Sequence, residues 1–249
     1  MRNVYKTKRL LEEYLLFHYG TAEEILPFSF GPRGALDFAT RSVSECLIRD
    51  FLPPRARALD LGCAVGRSSF ELARHCHEVD AVDFSPQFIE AARSLQAQGS
   101  LKFQFKIHGQ VYRRSEARVP KGVEPNRVNF EVGDAHNLSE EIGGYDVIHA
   151  ANLLCRMERP MALLNRLPSL VVPGGQLIIT SPYTWDEEFT PSENWVGATV
   201  NSPDPFAALE VKLSDAFRLK GRKDLPFLIR EHARKFQWSV AEATVWIRK

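Results

Sequence analysis

Between residue 56 and about residue 180 the chain alternates short apolar runs with apolar stripes of helical period. Residues 57–61, 78–83, 128–132, 145–150 and 176–180 are each a short, β-branched or apolar stretch of strand length. Residues 68–75 read as a helix between the first two runs. Ser85-Pro86 opens another, with serine at the N-cap and proline in the first helical position, and its stripe of Phe88, Ile89, Ala92 and Leu95 stops near Gly99. A further helix starts near Pro160 and meets a stop at Pro173-Gly174-Gly175. Strand and helix in this order predict an α/β fold: right-handed crossovers and a mostly parallel sheet with helices on both faces.

Two regions depart from that rhythm. Residues 101–119 (LKFQFKIHGQVYRRSEARV) alternate apolar and polar around His108-Gly109, which predicts a β-hairpin inserted ahead of the third strand. Ahead of the sheet, residues 7–17 form an amphipathic stripe ending at Gly20, and residues 34–51 suggest a second helix. After the fifth strand, residues 182–205 are rich in Pro, Asn and Trp and read as an ordered loop. The tail, residues 236–248, alternates well enough for a final strand. The resulting organisation is one domain over 1–249: a helical cap over 1–54, a core over 55–180 carrying the hairpin, and a loop with further strands over 181–249.

Composition narrows the function. The 249 residues are 44% hydrophobic and 25% charged, with a net charge of +1, so nothing favours a nucleic acid as partner. The four cysteines (Cys46, Cys63, Cys76, Cys155) are scattered without metal-ligand spacing, which argues against a disulfide framework or a structural metal and fits a reducing cytoplasm. No apolar span reaches membrane length, and no apolar signal core follows the N-terminus.

The chemistry is carried by strand ends. In an open parallel sheet, ligands sit beyond the carboxyl ends of the strands. The turn DLGCAVG there, Asp60 to Gly66 and including Cys63, has glycines at 62 and 66 that allow close backbone approach to a ligand. A dinucleotide site wants G-x-G-x-x-G; this turn has Ala64 and no third glycine, and Asp60 would repel a pyrophosphate while suiting an ammonium. That favours S-adenosylmethionine. Asp83 is placed to accept from both ribose hydroxyls, Phe84 to pack on the adenine, Asp134-Ala135 to hold the adenine amine, and Asn152 to lie near the reacting methyl. A single glycine turn is weak evidence, and a strand-end aspartate is often a helix cap; the four features at successive strand ends carry the reading. Their order over residues 55–180 resembles class I S-adenosylmethionine-dependent methyltransferases, implying a Rossmann-like, mostly parallel seven-stranded sheet.

Three stretches outside that core are more specific: EYLLFHYG (13–20), FSFGPRGALDFATRSVSECL (28–47) and SPYTWDEEFTPSENW (181–195). With them, nearly the whole chain resembles the 4-mercaptohistidine N1-methyltransferase family of ovothiol biosynthesis. The resemblance implies methyl transfer to an imidazole nitrogen of 5-thiohistidine, and a functional link to a sulfoxide synthase. Such a substrate, a small aromatic zwitterion, needs aromatic walls and partners for a carboxylate and an ammonium. Candidates are Tyr14, His18 and Tyr19 on or just past the first helix, Tyr183, Trp185 and Trp195 in the loop, Arg33 and Arg156 for the carboxylate, and Glu187 and Glu188 for the ammonium. Tyr14, His18 and Asn152 are the candidate catalytic residues; His18 is either a base or a helix cap. The alternatives are another small nucleophile, a phenol or an amine, or a cofactor-binding module without catalysis.

Overall fold

A computed structural model describes residues 7–249. The first six residues of the cap span lie outside the described residues. The strands are β1 (Arg57–Leu61), β2 (Glu78–Asp83), β3 (Ser100–His108), β4 (Val111–Arg118), β5 (Val128–Val132), β6 (Tyr145–Ala151), β7 (Val171–Ser181), β8 (Phe217–His232) and β9 (Lys235–Arg248). The helices are α1 (Lys8–Tyr19), α2 (Ala22–Ile25), α3 (Phe38–Ser44), α4 (Arg67–Leu72), α5 (Pro86–Gln98), α6 (Pro160–Leu170) and α7 (Pro205–Leu213).

Seven strands form one sheet in the order β5-β2-β1-β6-β7-β9-β8, and β3 and β4 pair separately. All pairs from β5 to β7 are parallel; β9 runs antiparallel to both β7 and β8. The chain builds outward from β1 to β5, then returns to build from β6 to β8. The order therefore switches between β1 and β6, where a crevice opens at the carboxyl edge. One apolar layer packs α1, α3, α4, α5 and the β3–β4 hairpin on one face of the sheet, and another packs α6 and α7 on the opposite face.

Local sequence explains most boundaries. Ser85 caps α5 through its side chain, Pro86 begins it, and Gly99 ends it at φ 75°. Asp204 accepts from Phe206 and Ala207 and so starts α7. The unpaired edge of β5 is covered by side chains of α5: Arg93 Nε donates to the Phe130 carbonyl at 2.9 Å, and Gln96 Nε2 to that of Val128 at 2.7 Å.

Three expectations need correction. Residues 34–51 are not one helix: a 3₁₀ turn at Arg33–Ala35, a left-handed Asp37 at φ 57° and a second turn at Arg49–Phe51 leave only α3 between them. Pro173-Gly174-Gly175 does not separate a helix from a strand. It is a bulge inside β7, where the register jumps from Tyr145–Val171 to Val147–Gln176. The 16-residue β8 was hidden by its charges, Gly221 and Pro226; the proline is tolerated because β8 is an edge strand.

Candidate active site

The turn after β1 is tied to β2 and needs its glycines for packing. The N–H groups of Gly62 and Cys63 both donate to the Val82 carbonyl, at 2.8 and 3.1 Å. Gly62 and Gly66 have φ of +71° and +85°, and Ala64 between them is also left-handed at 48°. A Cβ on Gly66 would stand 2.6 Å from Phe130 Cζ, and one on Gly62 3.1 Å from Leu153 Cδ1. The missing side chains also admit protein neighbours from β5 and from the loop after β6. Cys63 is buried, and burial pushes its thiol well above the ordinary range.

Asp60 is engaged inside the protein. It is 1% exposed, and its carboxylate accepts from Ser68 Oγ at 2.8 Å, Ser69 Oγ at 2.6 Å and His149 Nδ1 at 2.7 Å. His149 is its register partner across the β1–β6 switch, and its Nε2 lies 3.0 Å from Ser42 Oγ of α3. Burial alone would raise the Asp60 carboxyl, but His149 and the two serines outweigh it and hold it below its ordinary value. The charge expected to meet a ligand ammonium instead clamps both ends of the turn to β6 and the cap.

The other strand ends stay available. The Asp83 carboxylate accepts from the N–H of Ala64 at 2.9 Å and of Ser85 at 2.8 Å, so each oxygen keeps a lone pair for a further donor. Burial pushes its carboxyl up to about 6 despite those two bonds. Phe84, next to it, is 57% exposed, an apolar surface at the edge. Asp134 accepts from the His136 ring at 2.6 Å, while the other ring nitrogen of His136 accepts the Arg159 N–H at 3.1 Å, which fixes the tautomer and ties this loop to the start of α6. Burial opposes ionisation of Asp134, but His136 wins and leaves it below its ordinary value. Ala135 beside it is half-buried against the α6 layer. Asn152 sits at φ 52°, held by its N–H on the Thr180 carbonyl (2.8 Å), and its Oδ1 accepts the Thr180 hydroxyl at 2.9 Å. Its Nδ2 keeps both hydrogens without a protein partner among the described residues.

Helix α1 roofs the turn. Tyr19 donates its hydroxyl to the Val65 carbonyl at 2.8 Å, and burial raises its phenol above the ordinary range. Tyr19 is therefore a strut between cap and turn rather than a free substrate contact. His18 lies beside it with Nδ1 buried and unpartnered. Burial, helped by Arg67, pushes His18 down to about 3, against the opposing pull of Asp60. The ring is neutral, which makes it a poor base and a usable hydrogen-bonding group. Tyr14 packs its ring 4.9 Å from Phe88 and 5.8 Å from His18.

The loop after β7 holds itself together with the residues expected to hold a substrate. Arg156 donates to the Thr184 carbonyl at 2.7 Å and its guanidinium lies 4.8 Å from the Phe189 ring centroid. Tyr183 donates to Glu242 at 2.7 Å, and burial with that carboxylate raises its phenol. Trp195 donates to the Thr190 carbonyl at 2.8 Å and stacks on Trp185, whose indole packs against the α6–α7 layer. Arg156, Tyr183 and Trp195 are loop staples; Trp185 is half-buried, and its indole N–H is buried without a hydrogen-bond partner. Arg33 is exposed and donates to the Phe28 carbonyl at 2.8 Å; Glu187 and Glu188 are exposed. Sequence reasoning passed over His149, Ser68, Ser69, His136 and Arg67; only the serine pair directly behind the turn offered a local signal.

The arrangement leaves an acceptor carboxylate for a diol (Asp83), an apolar platform (Phe84), an acid for an exocyclic amine (Asp134), and a free amide (Asn152) along one edge. That set fits an adenosyl group. Residues 59–177 match a methyltransferase-domain family. Among curated proteins the chain is similar to the ubiquinone biosynthesis O-methyltransferase of Xanthomonas axonopodis pv. citri, 27% identical over 130 residues. That match covers 52% of the chain and 44% of the relative, so the chain spans less than half of the curated relatives it resembles. Among solved structures it is similar to an S-adenosylmethionine-dependent methyltransferase of Methanosarcina mazei (TM-score 0.54, 15% identity, covering 80% of this chain and 95% of that one). It is also similar to the magnesium protoporphyrin IX methyltransferase of Synechocystis with bound S-adenosylmethionine (TM-score 0.50, 18% identity, 79% and 71%). Residues 59–177 thus resemble a methyltransferase domain, and the fold is shared with solved S-adenosylmethionine-dependent methyltransferases. No described helix is long and apolar enough to cross a membrane.

Proposed function

We propose that this methyltransferase acts on an imidazole nitrogen of 5-thiohistidine, giving the N-methylated thiol, and that it is functionally linked to a sulfoxide synthase. The observation that carries the reading is the roof of the crevice. The end of α1 presents His18, neutral and with a sealed, unpartnered Nδ1, beside Tyr14 and directly over the glycine turn. A buried polar atom without a partner costs free energy unless a ligand completes it, and a small ring bearing N–H groups would do so. The stretches 13–20, 28–47 and 181–195, which shape this roof and the loop beyond β7, are those in which the chain resembles the ovothiol family.

When bound, S-adenosylmethionine supplies an electrophilic methyl on a sulfonium. The chain's part is placement. Asp83 and Asp134 fix the nucleoside end, and Tyr19 locks the roof to the turn through Val65. Asn152, itself held by Thr180, offers Nδ2 as a hydrogen-bond donor at the end of β6. His18, with a conjugate acid near 3, cannot take a proton at neutral pH to any useful extent. The acceptor nitrogen must therefore arrive with its lone pair free, as an imidazole activated by its own ionised thiol does. Near-attack positioning can supply up to roughly 7–11 kcal/mol, which makes a strong base unnecessary.

The test is turnover followed by mass spectrometry with thiohistidine, histidine and a catechol offered in parallel. The proposal expects S-adenosylhomocysteine to form with thiohistidine at a rate at least about a hundredfold above the other two, a margin of roughly 2.7 kcal/mol. Preferred methylation of the catechol would move the chain to the O-methyltransferase reading that its curated relatives suggest.

A further inference from the structure

The end of β7 decides which way the Asn152 amide faces. Thr180 is fully buried and pairs in register with Ala151 of β6 on one side and Ala243 of β9 on the other, neither of which has a polar side chain to meet its hydroxyl. That hydroxyl bonds only to Asn152 among the described residues. Its oxygen accepts the Asn152 backbone N–H at 3.1 Å, and its hydrogen goes to Asn152 Oδ1 at 2.9 Å. A reversed amide would turn Nδ2 towards the hydroxyl oxygen and leave the hydroxyl hydrogen buried without an acceptor, which costs free energy. The amide oxygen is therefore held inward, and Nδ2 with its hydrogens is held outward.

Outward is towards the crevice. Asn152 follows β6, the strand at the switch between β1 and β6, and turns at φ 52°, a left-handed conformation that asparagine adopts more readily than most residues. Leu153, the next residue, lies against the glycine turn, with its Cδ1 3.1 Å from where a Gly62 Cβ would stand. The segment thus bridges the end of β7 and the glycine turn at the carboxyl edge. A site that offers only N–H groups at this point discriminates by chemistry. It bonds an atom that carries lone pairs, most strongly one that is ionised, and it has nothing to give an N–H or an ammonium.

We infer that Thr180 is a positioning residue that fixes Asn152 as a donor, and that the acceptor presents to it an ionised thiolate or an oxyanion flanking the nucleophile, not an N–H group. The polarity of the amide holds whatever the acceptor is; only the choice of a thiolate rests on the 5-thiohistidine reading.

Two substitutions separate the hydroxyl from the bulk. Thr180→Val keeps the shape without the hydroxyl, and Thr180→Ser keeps the hydroxyl without the methyl. Each is measured on the full chain with whichever of thiohistidine and catechol is methylated, beside calorimetry with S-adenosylhomocysteine. Thr180→Val should lower kcat/KM about tenfold with S-adenosylhomocysteine affinity within about twofold, and Thr180→Ser should stay within about threefold of the parent in both. If the residue only packs the sheet, valine behaves as the parent and serine is the damaging change; that order overturns the inference. Asn152→Asp tolerates the same left-handed turn and replaces the donors by a carboxylate, so it should lower kcat/KM for an ionised acceptor about a hundredfold; an unchanged or raised value overturns the acceptor class. Turnover of catechol alone would sink the thiohistidine reading and, with the same pattern across the variants, support this one. Neutron diffraction from crystals of the deuterated parent with S-adenosylhomocysteine reads the amide without any acceptor, and so decides the matter if no turnover is found or a variant does not fold. The Thr180 deuteron directed at the inward oxygen and two deuterons on the outward nitrogen are expected; an outward oxygen overturns the inference.

Discussion

Asp83→Asn gives the sharpest separation of the cofactor reading from a purely structural one. In the free protein, burial raises the Asp83 carboxyl from its ordinary 3.8 to about 6. The folded state therefore holds this proton more tightly than the unfolded chain does. The associated stability is fully present below about pH 4 and is lost as pH rises through 6. A shift of about two units corresponds to about 3 kcal/mol that the charged carboxylate costs the empty fold at neutral pH. The asparagine variant has no such charge, so its stability relative to the parent should improve by up to about 3 kcal/mol between pH 4 and pH 7. Part of that gain is offset at every pH, because one of the two N–H donors, of Ala64 or Ser85, loses its acceptor at about 1–3 kcal/mol. The affinities should move the opposite way. The ionised carboxylate accepts the ribose diol, so parental affinity for S-adenosylhomocysteine should fall about tenfold per pH unit below 6 and level off above it. The variant should bind weakly with no such slope. Urea denaturation and calorimetry across that range give both quantities. A parental affinity independent of pH from 5 to 7, or the same slope in the variant, would refute the assignment of Asp83 to the ribose.

Three further outcomes follow from the geometry. Gly66→Ala should cost about 2–4 kcal/mol in urea denaturation, since its Cβ would lie 2.6 Å from Phe130 at a φ of +85°; a loss below 1 kcal/mol would mean that β5 yields easily. His18→Gln should lower kcat/KM by about tenfold yet leave the shape of its pH profile unchanged, because a ring titrating near 3 is neutral throughout the working range; disappearance of an acidic limb would restore His18 as the base. Trp185→Ala should lower stability by about 3 kcal/mol and weaken acceptor and cofactor together; a selective rise in the acceptor KM at unchanged Tm would return Trp185 to the substrate wall.

The strands at 57–61, 78–83 and 128–132 were legible because each carries apolar residues in a run or at alternate positions and is closed by a turn or cap that local chemistry dictates. β8 was not, since an edge strand may carry charges, Gly221 and Pro226 on a half-solvated ribbon, and its partner β9 alone defines it. Of the site, the positions of Asp83, Phe84 and Asp134 at strand ends were legible for the same reason. Side-chain allegiance was not. Asp60 is claimed by His149, 89 residues away, and Arg156 by Thr184, 28 residues away, through contacts that exist only once β1, β6 and β7 lie side by side. Residue type predicted charge correctly in both cases and could not predict what that charge would be used on.

Delivery of a methyl group to a ring nitrogen of 5-thiohistidine, as proposed, is tested most directly by where the methyl arrives. S-Adenosylmethionine carrying a ¹³C-labelled methyl, incubated with the chain and thiohistidine, allows the product's label to be located by long-range carbon–proton correlation. One labelled methyl per S-adenosylhomocysteine released is expected, coupled to the imidazole ring protons or carbons through nitrogen. A methyl on sulfur, or no transfer from a chain that binds S-adenosylhomocysteine normally, would contradict it.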